Sequence, residues 1–182
     1  MLSRVESAMM LAEFLHAKQK YDDQDYMYHL IATVHVLNEF GFNEEDDVIA
    51  GYLHDSIEDT TATYKLIAKR FGWVVADTVQ AVTNEQGRNR KERNLKTYQK
   101  LLGNTRALAV KLADRIANVR HSISKGNVSF FEMYKKEYPT LRHYLYTGDA
   151  SLESMWLCLD KLFSEEPNVK SNESGNQTTV LQ

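Results

Sequence analysis

Residues 51–61 read GYLHDSIEDTT, which sets a histidine beside an aspartate and follows them one helical turn later with a glutamate and a second aspartate, among Leu53 and Ile57. On a helix, residues four apart share a face, so His54 stacks with Glu58 and Asp55 with Asp59, while His54 and Asp55 diverge by about 100°. The adjacent pair can ligate one ion only if its helix passes close beside that ion, deep in the protein, and the small Ala50 and Gly51 would let other helices approach. Two ligands do not complete a site. His29, in DYMYHLIATVHVL, is one candidate partner, with His35 on the same helix as the alternative, expected to pack in the core instead. Asp114, in AVKLADRIANVRH, is the other: Leu112, Ala113, Ile116 and Ala117 surround a carboxylate that would be costly to bury without a cation. Its structural alternative is an ion pair with Arg115 or Arg120. Lys111, Asp114, Arg115 and Asn118 fall on one face of that helix, opposite Leu108, Leu112 and Val119.

The elements that must position these groups are helices. Two prolines and eight glycines punctuate 182 residues, and apolar residues recur every three or four positions. The fold class expected is all-α, a helical bundle with a buried metal site. Residues 149–163 carry a stripe of Leu152, Met155, Trp156, Leu159, Leu162 and Phe163 behind a capping Asp149. A helix from Asn104 or Thr105 places Leu108, Leu112, Ile116, Val119 and Ile123 on its core face. Another opens with Glu44, Glu45, Asp46 and Asp47 against the positive end of its dipole and continues into the 51–61 motif. Further helices fit 3–20, 26–40, 62–71, 74–83, 91–102 and 128–146, the last broken near Pro139. Residues 1–164 form one domain, and 165–182, polar and without periodicity, read as a flexible tail.

Bulk properties narrow the function. A net charge of −3 lacks the field of a general nucleic-acid binder. Single Cys158, expected to be buried, allows no internal disulfide; no apolar run reaches the roughly 18 residues of a membrane span, and the start does not read as a signal peptide. A cytoplasmic protein without nucleic-acid or membrane partners is expected, with a homo-oligomer left open.

The order His29, His54-Asp55, Asp114 resembles the metal signature of the HD superfamily of phosphohydrolases. LHDSIEDT, then VTNEQGRNRKERNLKTYQKL, then KLADRIANVR is similar to the hydrolase domain of RelA/SpoT-type alarmone hydrolases over about residues 10–125. The resemblance implies that His29, His54, Asp55 and Asp114 hold a divalent metal, that Glu58 and Asp59 handle proton transfer and water positioning, and that Asn118 contacts a small nucleotide substrate. It implies removal of the 3′-diphosphate from (p)ppGpp-like alarmones. Two imidazoles with two carboxylates suit manganese ahead of iron, zinc or magnesium. Lys111, Arg115 and the segment Arg88, Arg90, Lys91, Arg93, Lys96 could neutralise phosphate charge; the bland reading of that segment is a solvated helix face, and of Glu58 and Asp59 a plain helix end.

The match departs at HAKQKYDDQDYMYH, residues 16–29. His16 and Gln19 fit, but Lys18 stands where the family has glycine, and Tyr21-Asp22 where it has a basic pair. Asp22, Asp23 and Asp25 would repel phosphate, with Lys18 and Lys20 as partial substitutes. A guanosine alarmone is the first choice of substrate, then an adenosine alarmone or an NADPH-type 2′-phosphate. The non-catalytic alternative is an antitoxin-like nucleotide binder, against which the intact Glu58-Asp59 pair speaks. His16, His121 and His143 read as surface or structural, and Phe130, Phe131, Tyr134, Tyr138, Tyr144 and Tyr146 as core and rim aromatics.

Overall fold

A computed structural model describes residues 2–164; the expected tail, 165–182, lies outside them. Ser3 and Glu6 form a reciprocal capping box that starts helix α1 (Arg4–Leu15). The expected helix to residue 20 stops here instead. Lys20–Tyr21 (β1) and Gln24–Asp25 (β2) pair as a short antiparallel ribbon, and Asp22 in its turn takes φ 53°, a conformation that short polar side chains tolerate. Helices α2 (Met27–Glu39), α3 (Glu45–Leu53), α4 (Ser56–Asp59), α5 (Tyr64–Phe71), α6 (Trp73–Val82), α7 (Arg90–Leu101), α8 (Thr105–Ser124), α9 (Val128–Leu145) and α10 (Glu153–Ser164) follow. The described residues are all-α apart from that ribbon, as the periodicity implies.

The core is organised around α8, which packs against α2, α3, α6, α7, α9 and α10. Leu108, Leu112, Ile116 and Val119 are buried on it as expected, Ile123 partly so. Ala107, Ala109, Ala113 and Ala117 are buried too, so α8 is enclosed nearly all round and presents little bulk to the helices that close on it. α9 runs unbroken through Pro139, contrary to expectation. Phe131 before the proline and Leu141 and Leu145 after it are buried, so packing on both sides keeps the helix continuous while the ring itself is exposed. α10 begins at Glu153 because Asp149 caps a preceding turn: its Oδ1 accepts from the Ser151 backbone N–H at 3.0 Å and its Oδ2 from the Thr105 hydroxyl at 2.8 Å. Cys158 is half-buried, its sulfur 3.5 Å from an Arg120 nitrogen. No described helix is long and apolar enough to cross a membrane.

The helix that carries the 51–61 motif divides. α3 ends at Leu53, His54 and Asp55 form a turn, and α4 is one further turn of helix. Gly51 lets α3 lie directly on α2: a Cβ there would sit 2.8 Å from Leu37 Cδ1 and 2.9 Å from Val34 Cγ2. Gly51→Ala should therefore destabilise despite the better helix propensity of alanine, because overpacking costs about 1–3 kcal/mol against a propensity gain of at most about 1 kcal/mol. A lowered urea midpoint at unchanged m-value checks this; an unchanged or raised midpoint contradicts it.

Candidate metal centre and cavity

Three segments deliver the polar cluster. His29 comes from the first turn of α2, His54 and Asp55 from the turn between α3 and α4, and Asp114 from the middle of α8. Asp55 takes φ −94° and ψ −3°, off the ideal helix. This is how neighbouring residues that would diverge on a straight helix converge here. The His54 Nε2 and Asp55 Oδ2 are 3.1 Å apart. His29 Nε2 lies 3.3 Å from His54 Nε2, 3.6 Å from Asp55 Oδ2 and 3.4 Å from Asp114 Oδ1. His54 Nε2 and Asp114 Oδ1 are 4.0 Å apart. Exposed His35 has no part in the cluster, and it does not pack in the core. Asp114 pairs with neither arginine weighed as its partner: Arg115 binds Glu137 and Arg120 binds Glu39.

The chemistry of these donors fits a divalent cation. The Gly51 carbonyl, 2.8 Å from His54 Nδ1, can only accept, so Nδ1 carries the hydrogen and Nε2 turns its lone pair to the cluster. The two imidazole Nε2 atoms lie 3.1–4.0 Å from each other and from one oxygen each of Asp55 and Asp114, and His29, His54 and Asp55 form the tightest group, within 4.8 Å of one another. Donors about 2.1 Å from a shared ion are separated by about 3.0 Å when adjacent and about 4.2 Å when opposite. The local field demands positive charge. Burial alone would depress the His54 pKa, yet the Asp55 and Asp114 carboxylates outweigh it and raise it to about 9. Burial likewise works to raise the Asp114 pKa, and Lys111 with the two imidazoles holds it well below the usual carboxylate range.

Surrounding groups hold these donors in place. The Tyr26 hydroxyl donates to Asp55 Oδ2 at 2.6 Å, and Lys111 Nζ lies 3.2 Å from Asp114 Oδ2. The Asn118 amide donates to Asp114 Oδ1 at 2.5 Å and accepts from the Tyr21 hydroxyl at 2.8 Å. The Tyr21 ring stacks on that of His29, centroids 4.9 Å apart.

A cavity of about 220 Å³ opens over the cluster. Asp55, Asp114, Glu58 and Asp59 line one side, and Arg90, Lys111 and Arg115 bring positive charge. Glu58 accepts from the Asn84 backbone N–H and side-chain amide, both at 3.0 Å. Asp59 accepts from Gln19 at 3.0 Å, and Gln19 accepts in turn from buried His16 at 2.7 Å. Burial is the main cause of the raised Asp59 pKa, with Gln19 opposing it.

The structure therefore brings Glu58, Asp59, Lys111, Arg115 and Asn118 to the cavity. Lys18 and Arg93 are not among its walls. Lys18 is exposed on the loop that replaces the end of the expected first helix, and exposed Arg93 leans over Gly87. Within the basic segment Arg88 and Lys96 pair with Glu92, and Arg90 alone lines the cavity. The acidic run at 22–25 is partnered locally: Asp22 meets His121 at 2.6 Å, Asp23 meets Lys125 at 3.3 Å and Asp25 meets Lys20 at 2.5 Å. Sequence reasoning missed Tyr26, Asn84 and the cavity role of Tyr134. For Tyr26 the available signal was its place three residues before His29, on the same helical face.

The HD domain family model matches residues 8–129. The chain is 35% identical over 121 residues to a guanosine-3′,5′-bis(diphosphate) 3′-pyrophosphohydrolase of Aquifex aeolicus (strain VF5), covering 64% of the chain and 17% of that protein. It is 32% identical over 117 residues to the Drosophila melanogaster pyrophosphohydrolase MESH1, covering 62% of the chain and 65% of the relative. The chain thus spans under a fifth of the Aquifex relative and about two thirds of the Drosophila one. The solved structure of a metazoan SpoT ortholog, described as hydrolysing ppGpp and acting in starvation responses, superposes with a TM-score of 0.74 at 25% identity over 90% of this chain and 96% of its own.

Proposed function

This chain belongs to the HD domain family, and from that premise we propose that it is a cytoplasmic, metal-dependent nucleotide phosphohydrolase that removes the 3′-diphosphate of (p)ppGpp-like alarmones. His29, His54, Asp55 and Asp114 hold the cation, and the mixed nitrogen and oxygen donors favour manganese. Held there, a divalent ion supplies Lewis acidity for acidifying water and polarising a phosphoryl oxygen. Glu58 takes the proton of the attacking water and Asp59, fixed by Gln19, orients that water. Arg90, Lys111 and Arg115 balance charge on the phosphoryl group as its bond to the ribose 3′-oxygen breaks. Asn118 contacts the nucleotide.

The observation that carries this reading is the convergence of His29, His54 and Asp55 within 4.8 Å of one another, with Asp114 3.4 Å from His29 Nε2, under a cavity with cationic walls. Tyr21 in place of a basic residue, hydrogen-bonded to Asn118, gives the adenosine alarmone and NADPH a place in the test. Purified, manganese-loaded protein is expected to release pyrophosphate from ppGpp, or phosphate from NADPH. Absence of product across ppGpp, its adenosine counterpart and NADPH would defeat the proposal.

A further inference from the structure

Arg90 on α7 and Arg115 on α8 both line the cavity, yet neither is free to move in it. Both are tied to Glu137, on the facing helix α9. Glu137 Oε1 accepts from Arg90 Nε at 2.5 Å, and Oε2 accepts from Arg90 Nη2 at 3.3 Å and from Arg115 Nη1 at 2.9 Å. One turn earlier on α9, the Tyr134 ring lies beneath both cations, its centroid 4.7 Å from the Arg115 guanidinium carbon and 6.0 Å from that of Arg90. Arg115 is only 5% exposed, so its charge depends on this partner. A guanidinium has more N–H groups than these bonds consume, and the remainder stay available to a ligand in the cavity.

We propose that Glu137 is a positioning residue, one that acts through Arg90 and Arg115 by fixing the direction of their unspent N–H groups toward a phosphoryl group. The inference rests on the hydrolase reading above. Attraction cannot be what Glu137 contributes, because a carboxylate bonded to these arginines from outside the cavity lining offsets their charge and weakens the pull on an anion. Geometry is what it contributes, since a guanidinium displaced by about 1 Å from its productive position can forfeit as much as about a hundredfold in rate.

The two roles separate kinetically. Glu137→Gln keeps the side-chain shape and removes the charge; its kcat should fall at least about tenfold, while KM stays level or drops because the charge of the two arginines is no longer offset. Because Glu137 acts through the arginines, its effect should shrink in an Arg90→Ala background, where one of its two targets is already gone. Glu137→Asp, which retains the charge that buried Arg115 needs but retracts it by one methylene, keeps the test available if the glutamine variant does not fold, and its kcat should also fall at unraised KM. Unchanged kcat in the variant that folds overturns the inference, as does a fall that is simply additive with Arg90→Ala, or a raised KM at constant kcat. A wild-type protein inactive on every nucleotide removes the hydrolase reading and this inference together, whereas active wild type with equally active Glu137 variants removes the inference alone.

Discussion

Asp55→Asn is expected to empty the centre and abolish turnover while leaving the protein folded. Asp55 suits this test better than Asp114, whose carboxylate also pairs with Lys111, a side chain only 14% exposed that replacement would strand. The Tyr26 hydroxyl, which donates to Asp55 Oδ2, can donate equally to the asparagine oxygen. Only the negative charge and one strong donor atom are lost. Wild type should bind one manganese per chain, and with the ion at about a hundred times its Kd the folded state gains about 2.7 kcal/mol, a rise in Tm of roughly 5–10 °C for a domain of this size. Asp55→Asn should show neither stoichiometric metal nor the rise. Its kcat should fall at least about 10³-fold, the consequence of losing several kcal/mol of Lewis-acid stabilisation. Metal analysis together with thermal unfolding in chelator and in manganese decides the matter: an Asp55→Asn protein that keeps its ion, or a wild type indifferent to manganese, removes the metal centre from the account.

The metal candidates were legible because each is a case of forbidden burial. A carboxylate at 114 between Leu112, Ala113, Ile116 and Ala117 has no ordinary reason to exist, and helical period alone predicts that this stretch is buried. The turn at His54-Asp55 was not legible. No proline or glycine marks it, since Gly51 lies inside α3, and the residues on either side read as one continuous helix. Tertiary packing of α3 on α2 and α8 overrides that local preference, and the bend is what makes the adjacent pair usable together. Pro139 is the converse, a strong local signal overruled by buried residues on both sides of it.

The groups that brace the metal candidates, and the partners of the cavity's cations, escaped for a different reason: they meet across long separations. Tyr21 reaches Asn118 across 97 positions, Arg90 reaches Glu137 across 47 and Glu58 reaches Asn84 across 26. Periodicity tells which face of a helix is polar, and carries no register between one helix and another. Hence the polar face of α8 could be read from its own residues, whereas which cation of the 88–96 segment would reach the cavity could not. The three aspartates at 22–25 carried the same ambiguity. Their charges follow from the sequence, but their pairing with His121, Lys125 and Lys20 depends on the β1–β2 ribbon and the end of α8 lying together.

Glu58→Gln separates catalysis from binding, and its expected result is the opposite of Asp55→Asn in every respect but one. Glu58 touches no metal-cluster residue in the hydrogen-bonding pattern; its two carboxylate oxygens face the Asn84 backbone N–H and side-chain amide at 3.0 Å. A glutamine can keep the oxygen that meets the Asn84 backbone, and the Asn84 side-chain amide can rotate to accept from the new NH2 group. The variant should therefore retain metal stoichiometry, manganese-dependent stabilisation and nucleotide affinity. What it cannot do is take a proton, so kcat should fall about 10²–10⁴-fold at a KM near that of wild type. If kcat survives in Glu58→Gln and collapses in Asp59→Asn, the base is Asp59, whose partly enclosed carboxyl already has a raised pKa. If both variants keep the biological effect of the wild type, and wild type binds nucleotide without consuming it, the cavity serves as a receptor, because a sequestering protein needs the donors of the cluster and the cations around it but has no use for a proton acceptor beside them.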